Sequence, residues 1–275
     1  MTLRRFPFVT AAVFGVTLTA NLLLFAVHGL LGRMERSPAG LHGDWWRTVT
    51  ALSGQDGGVA GTVSNLAFLV VIGAIAEQLT SRPRWLLCYF GTGLVGEFAG
   101  YGWQPYGAGN SVAICGLAGV VAVALWSDAK RVPSLGPGVL LVWCGALLAY
   151  FWSPLVVLGV VAGLLTRGRA PRWTAAAALA TGVTLTAAEN LHGAALLAGL
   201  TLATLLTRPA RAGVHGAVPS GSATGHDRSL RRLTSFAVLP GIEDDQRPAG
   251  ERPARLTSPG WVPGVRRRRP PADSV

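Results

Sequence analysis

No charged side chain falls between Val132 and Thr166, and uncharged apolar blocks also run from Phe6 to Leu31, Val59 to Ala76, Ala108 to Ser127, Trp173 to Ala188 and Asn190 to Thr207. Roughly 20 apolar residues, rising 1.5 Å each, cross a hydrocarbon core about 30 Å thick. Lipid offers the backbone no hydrogen-bond partners, so blocks of this kind must close their hydrogen bonds internally as helices. The expected fold class is therefore all-α, a polytopic helical membrane protein. With 50% hydrophobic and only 13% charged residues, the composition leaves little material for a soluble enzyme domain.

Charge gives the blocks a direction. Arg4 and Arg5 precede the first span, about residues 6–31, and "TSRPR" closes the second, about 59–79. A third, about 85–100, leads to the polar "YGWQPYG", and a fourth begins near Ala108 and ends at "SDAKR". The uncharged stretch after Val132 carries basic residues at both ends and a "WSP" break, which reads as two short spans. An Ala/Thr-rich span to about Ala188, a turn at Glu189 and Asn190, and a last span ending at "TRPAR" complete about eight crossings. Basic loops stay on the cytoplasmic side, so both chain ends are expected there, in a multi-pass protein of the cell membrane.

Residues 1–207 thus form the membrane domain, and residues 208–275 are expected to be a disordered basic cytoplasmic tail, with twelve arginines against six acidic residues. The formal charge of +11 is explained by this tail and the short loops, and it points to the lipid bilayer and not to nucleic acid. Cys88, Cys115 and Cys144 lie inside apolar blocks with no Cys-x-x-Cys spacing, and no His-Glu-x-x-His occurs, so neither a metal nor an organic cofactor is implied.

Two polar residues inside the blocks share an end and a depth. Ser111 lies about one turn inside the fourth span and His192 just inside the last, and an even number of crossings between them puts both at the outer side. An imidazole beside a hydroxyl at one depth forms a Ser–His dyad, in which the ring accepts the hydroxyl proton and later returns it to the leaving group. Each residue also has a plainer reading, a small packing residue for Ser111 and a structural hydrogen bond for His192.

The order Trp46-Arg47, Asn65 in "TVSNLAFLVVIGAIAE", Glu77, Gly109-x-Ser111, and His192 followed by Ala195 and Gly199 resembles the rhomboid family of intramembrane serine proteases. The resemblance implies a rhomboid-like bundle in which Ser111 is the nucleophile and His192 the general base. Asn65 is implied as a side-chain donor to the oxyanion, with the backbone N–H groups of Ser111 and Asn110 beside it. Arg47 and Glu77 are implied to be structural, Gly109 to open the serine span, and Gly199 to let the histidine helix pack closely. The implied partners are single-pass transmembrane protein substrates. Three positions differ from the family pattern: Val112 stands for a glycine, Cys115 for an aromatic ring packed on the histidine, and Gly61 for a histidine that assists the oxyanion. Val112, β-branched, is a candidate to crowd substrate or to move the nucleophile. A catalytically inactive relative that binds transmembrane helices is the alternative. Glu189, three residues before His192, is a candidate to orient the imidazole, and Glu97 a candidate for the substrate cavity, with plain solvation as the competing reading of both.

Overall fold

The computed structural model describes residues 5–166 and 172–207, and among these the chain is helical with no strand. Contacts divide the chain into residues 1–216 and 217–275, and the second unit, like the whole expected tail 208–275, lies outside the described residues. The helices are α1 (Phe8–Ala26), α2 (Leu30–Met34), α3 (Trp46–Thr50), α4 (Gly58–Leu79), α5 (Arg82–Leu86), α6 (Thr92–Trp103), α7 (Ser111–Asp128), α8 (Gly136–Leu148), α9 (Leu155–Leu165), α10 (Trp173–Ala187) and α11 (Leu191–Thr207). A π turn over Leu87–Gly91 runs α5 into α6 without a loop.

Three helices, α1, α4 and α7 with its extension to Arg131, are long and apolar enough to cross a membrane. The 13 residues of α8 and 11 of α9 reach only about 20 and 17 Å at 1.5 Å each, short of a full hydrocarbon core. They form a hairpin whose tip exposes Tyr150, Phe151 and Trp152, side chains suited to a headgroup boundary. Glycine makes their approach close: a Cβ on Gly145 would stand 2.6 Å from the Leu155 carbonyl oxygen, and one on Gly163 2.7 Å from that of Gly138.

α7 is the axis of the bundle, touching α4, α6, α8, α10 and α11. Its Ile114, Leu117 and Leu125 are fully buried against Leu69, Ile72 and Ile75 of α4, Trp85 and Tyr89 before α6, Trp143 of α8 and Leu196 of α11. α7 and α11 start at the same end and run parallel, because their first turns meet at Ser111 and His192 and their middles at Gly116, Gly119 and Gly199. A Cβ on Gly199 would lie 2.7 Å from the Gly116 Cα and 3.1 Å from the Cys115 carbonyl oxygen, backbone atoms that cannot turn aside. Gly199→Ala is therefore expected to cost roughly 1–3 kcal/mol of stability through overpacking. A thermal unfolding midpoint in detergent equal to wild type would contradict this close approach.

Glu77 closes the far end of the fold. α1 begins after Pro7 with no side-chain cap of its own. The Glu77 carboxylate supplies the cap from α4, accepting the backbone N–H of Val9 at 3.1 Å, that of Thr10 at 2.9 Å and the Thr10 hydroxyl at 2.9 Å. Arg5, Arg84 and Arg131, with Gln78, Ser127 and Thr207, line a cavity of about 720 Å³ at this end, so the start of α1 and the ends of α4, α7 and α11 gather there. This places the arginines opposite Ser111 and His192.

Candidate active site

The chain reaches α7 through a segment held from two sides. On one side Arg36, itself buried, pairs with the buried Glu97 of α6 and donates to the carbonyl of Gln104 from Nε at 3.1 Å and Nη2 at 2.6 Å. Arg36 and Gly107 also exchange backbone hydrogen bonds. On the other side the Asp56 N–H donates to the Ala108 carbonyl at 3.1 Å, and the Ala108 N–H returns to the Asp56 carboxylate at 3.1 Å. Gly107 sits at φ +145°, backbone space that a side chain rarely enters. Glu97 is thus a buried partner of Arg36, which corrects the reading of it as a solvated carboxylate: a carboxylate taken out of water requires a buried cation.

Ser111 opens α7. The helix begins at this residue, so the N–H groups of its first turn have no intrahelical acceptors and face the segment that carries Gly109 and Asn110. A Cβ on Gly109 would stand 3.0 Å from the Ser111 Oγ, so glycine there leaves the hydroxyl uncovered. The Oγ is 2.9 Å from the Nε2 of His192, in the first turn of α11, joining residues 81 positions apart. Both are half-buried.

The imidazole is held at its other nitrogen. Nδ1 lies 2.9 Å from the Oδ1 of Asn190, and the His192 backbone N–H donates to that same oxygen at 3.0 Å. Glu189 makes no such contact: it is exposed, at φ +54° in the turn. Of its two readings, plain solvation fits and orientation of the ring does not, because the chain reverses at residue 189 and helical spacing from His192 does not extend back through it; the side chain at the imidazole is that of Asn190.

Asn65 and Asn110 are linked through a residue that the sequence did not single out. The Asn65 Nδ2 donates to the Gln55 Oε1 at 2.6 Å, and the Gln55 Nε2 donates to the Asn110 Oδ1 at 2.5 Å. Gln55 is buried and pairs its backbone with Gly109 in an isolated bridge, which sets this amide chain beside the serine segment. Only one of the two Asn65 amide hydrogens is engaged by this bond. Arg47, in α3, donates from Nη1 to the Gly32 carbonyl at 2.7 Å and from Nε to Asp44 at 3.0 Å, tying the segment between α1 and α4 together. Glu77 lies at the far end of the bundle and Gly199 below the histidine, as described above.

Val112 does not move the Ser111 hydroxyl out of reach of His192. One residue further round the helix, its buried side chain points between α6 and α11, where a Cβ on Gly96 would come within 2.4 Å of its Cγ1. Glycine on α6 makes the room that a glycine at position 112 would otherwise leave. Cys115 is fully buried one turn below, and nothing beyond its chain neighbours and own helix backbone lies within 4 Å of where a Cβ on Gly61 would be.

A membrane helix bundle with a serine hydroxyl, an imidazole and helix N-terminal donors at one end has the architecture of intramembrane serine peptidases. The Rhomboid domain model matches residues 42–208, more than half of the chain, and the chain belongs to the rhomboid family. It is 33% identical over 89 residues to the Rhomboid protease GluP of Bacillus subtilis (strain 168), a match covering 32% of this chain and 17% of that protein. No solved structure matches it.

Proposed function

We propose that the protein is an intramembrane serine protease that cleaves single-pass transmembrane substrates with Ser111 as nucleophile and His192 as general base. The observation that carries this reading is the 2.9 Å contact between the Ser111 Oγ and the His192 Nε2 at the shared end of two parallel helices. Nε2 takes the hydroxyl proton as Oγ bonds to the carbonyl carbon of the scissile peptide. The oxyanion that forms is met by the N–H groups of Ser111 and Asn110, at the positive end of α7, and by the free N–H of Asn65. Nε2 then gives its proton to the leaving amine, and water, deprotonated by the same nitrogen, releases the acyl group from Oγ.

The topology belongs to this reading. With Arg5, Arg84 and Arg131 at the end opposite the site, the positive-inside rule puts that end in the cytoplasm, with both chain termini, and the site at the outer leaflet, the short α8–α9 hairpin returning the chain to the side it left. The second reading, an inactive protein that binds transmembrane helices, draws on Gly61, whose position holds no donor.

A serine-directed fluorophosphonate separates the two. The detergent-solubilised protein is expected to label at Ser111 and Ser111→Ala to remain unlabelled. A folded wild-type protein that stays unlabelled, beside a rhomboid protease that labels in parallel, would transfer the proposal to the helix-binding reading.

A further inference from the structure

The hydrogen bonds around His192 carry an assignment that the Ser–His pair alone does not. A backbone N–H can only donate, so the Asn190 atom 3.0 Å from the His192 nitrogen must be the amide oxygen and not the amide NH2. That same oxygen is 2.9 Å from Nδ1. An amide oxygen can only accept, so the imidazole must carry its proton on Nδ1, and a neutral ring protonated at Nδ1 presents a bare lone pair at Nε2. Nε2 is the atom 2.9 Å from the Ser111 Oγ. The backbone donor thus fixes the amide, the amide fixes the tautomer, and the tautomer leaves Nε2 free to accept.

We infer that Asn190 is a positioning residue that extends the pair to Ser111–His192–Asn190, holding the imidazole in the one tautomer able to take the serine proton. This deepens the protease reading and rests on it. The alternative tautomer would put hydrogen on Nε2, turn the serine oxygen into an acceptor and leave the hydroxyl proton without a base. Asn190 is buried, with 3% of its surface exposed, so water does not readily take the place of its oxygen. Its neutral amide also differs from a carboxylate partner. It orients the ring and fixes the proton without adding a charge to offset the imidazolium formed during acyl transfer, so its contribution is expected to be smaller than that of an acid in the same position.

Asn190 also caps α11, because the N–H that it accepts belongs to the second residue of that helix. The test must separate capping from ring positioning. Asn190→Ser keeps a side-chain oxygen able to cap, on a shorter arm that does not extend to the imidazole, whereas Asn190→Asp keeps acceptors for both bonds. In the wild-type protein labelled with 15N-histidine, solid-state NMR is expected to place the His192 proton on Nδ1 and leave Nε2 bare. In Asn190→Ser the Nε2–H tautomer should become prominent. The fluorophosphonate labelling rate should then fall about 10- to 100-fold, part of the 10²–10⁴ that a positioned base contributes. Asn190→Asp should keep hydrogen on Nδ1 and label faster than Asn190→Ser.

A wild-type ring protonated at Nε2 would overturn the inference, whether or not the protein labels or cleaves anything. So would a labelling rate in folded Asn190→Ser equal to that of wild type, or Asn190→Asp as slow as Asn190→Ser with both at the wild-type unfolding midpoint. A wild-type protein with hydrogen on Nδ1 that never labels would instead count against the protease reading and leave the tautomer assignment standing.

Discussion

Ser111→Ala and His192→Ala are each expected to abolish cleavage of a transmembrane substrate in reconstituted liposomes, a loss of roughly 10⁴-fold or more in kcat, and the double variant should be no worse than either single one. The reason is geometric. The nearest base for the Ser111 proton is Nε2 at 2.9 Å, so removing the ring leaves a hydroxyl in its ordinary, weakly nucleophilic state, and removing the hydroxyl leaves a base with nothing to activate. Residues that act as one unit do not contribute additive losses. Two single variants that each kept a tenth of the rate and multiplied in the double would mean that the two side chains act separately, and the pair would not be the catalytic unit.

Much of this arrangement was legible in the sequence, and the limits have physical causes. The second span was read as about 59–79 and α4 runs Gly58–Leu79, because a membrane helix is bounded by sharp changes of polarity that a sequence displays directly. The "WSP" break separates α8 from α9, since proline constrains the residue before it. Parity of crossings was enough to bring Ser111 and His192 to one end. The facing of each helix was not legible: α7 is apolar on every side, so its pattern does not say which residue meets which neighbour. Arg36, its pairing with Glu97, and Gln55 escaped for the same reason, since their bonds join distant segments and leave no local spacing to read. Val112 looked obstructive because its counterpart, Gly96, lies on another helix. Asn190 did leave a signal. Asn immediately before an apolar helical run is an N-cap signature, and a cap places its oxygen next to the second residue of the helix, here His192.

The second large effect is expected at Asn65. Asn65→Ala should lower kcat by about 10² to 10³, the range for removing one oxyanion donor, while KM changes little, because the developing negative charge exists only in the transition state. Gln55 should matter through Asn65. Its Oε1 takes one amide hydrogen of Asn65 at 2.6 Å and its Nε2 donates to Asn110 at 2.5 Å, so the side chain fixes where the remaining Asn65 hydrogen points. Gln55→Ala is expected to lower kcat in the same direction by a smaller factor and to have little further effect once Asn65 is alanine, the coupling that neighbours sharing a hydrogen bond show in a double-mutant cycle. Gly61, one turn before Asn65 on α4, gives the complementary measurement, since no atom beyond its chain neighbours and own helix backbone lies within 4 Å of a Cβ placed there. A histidine would put a second donor one turn from Asn65, and Gly61→His should recover part of the rate lost in Asn65→Ala. If Asn65→Ala cleaves at the wild-type rate, its amide is only a packing partner of Gln55, and the oxyanion must be held by the N-terminal N–H groups of α7 alone.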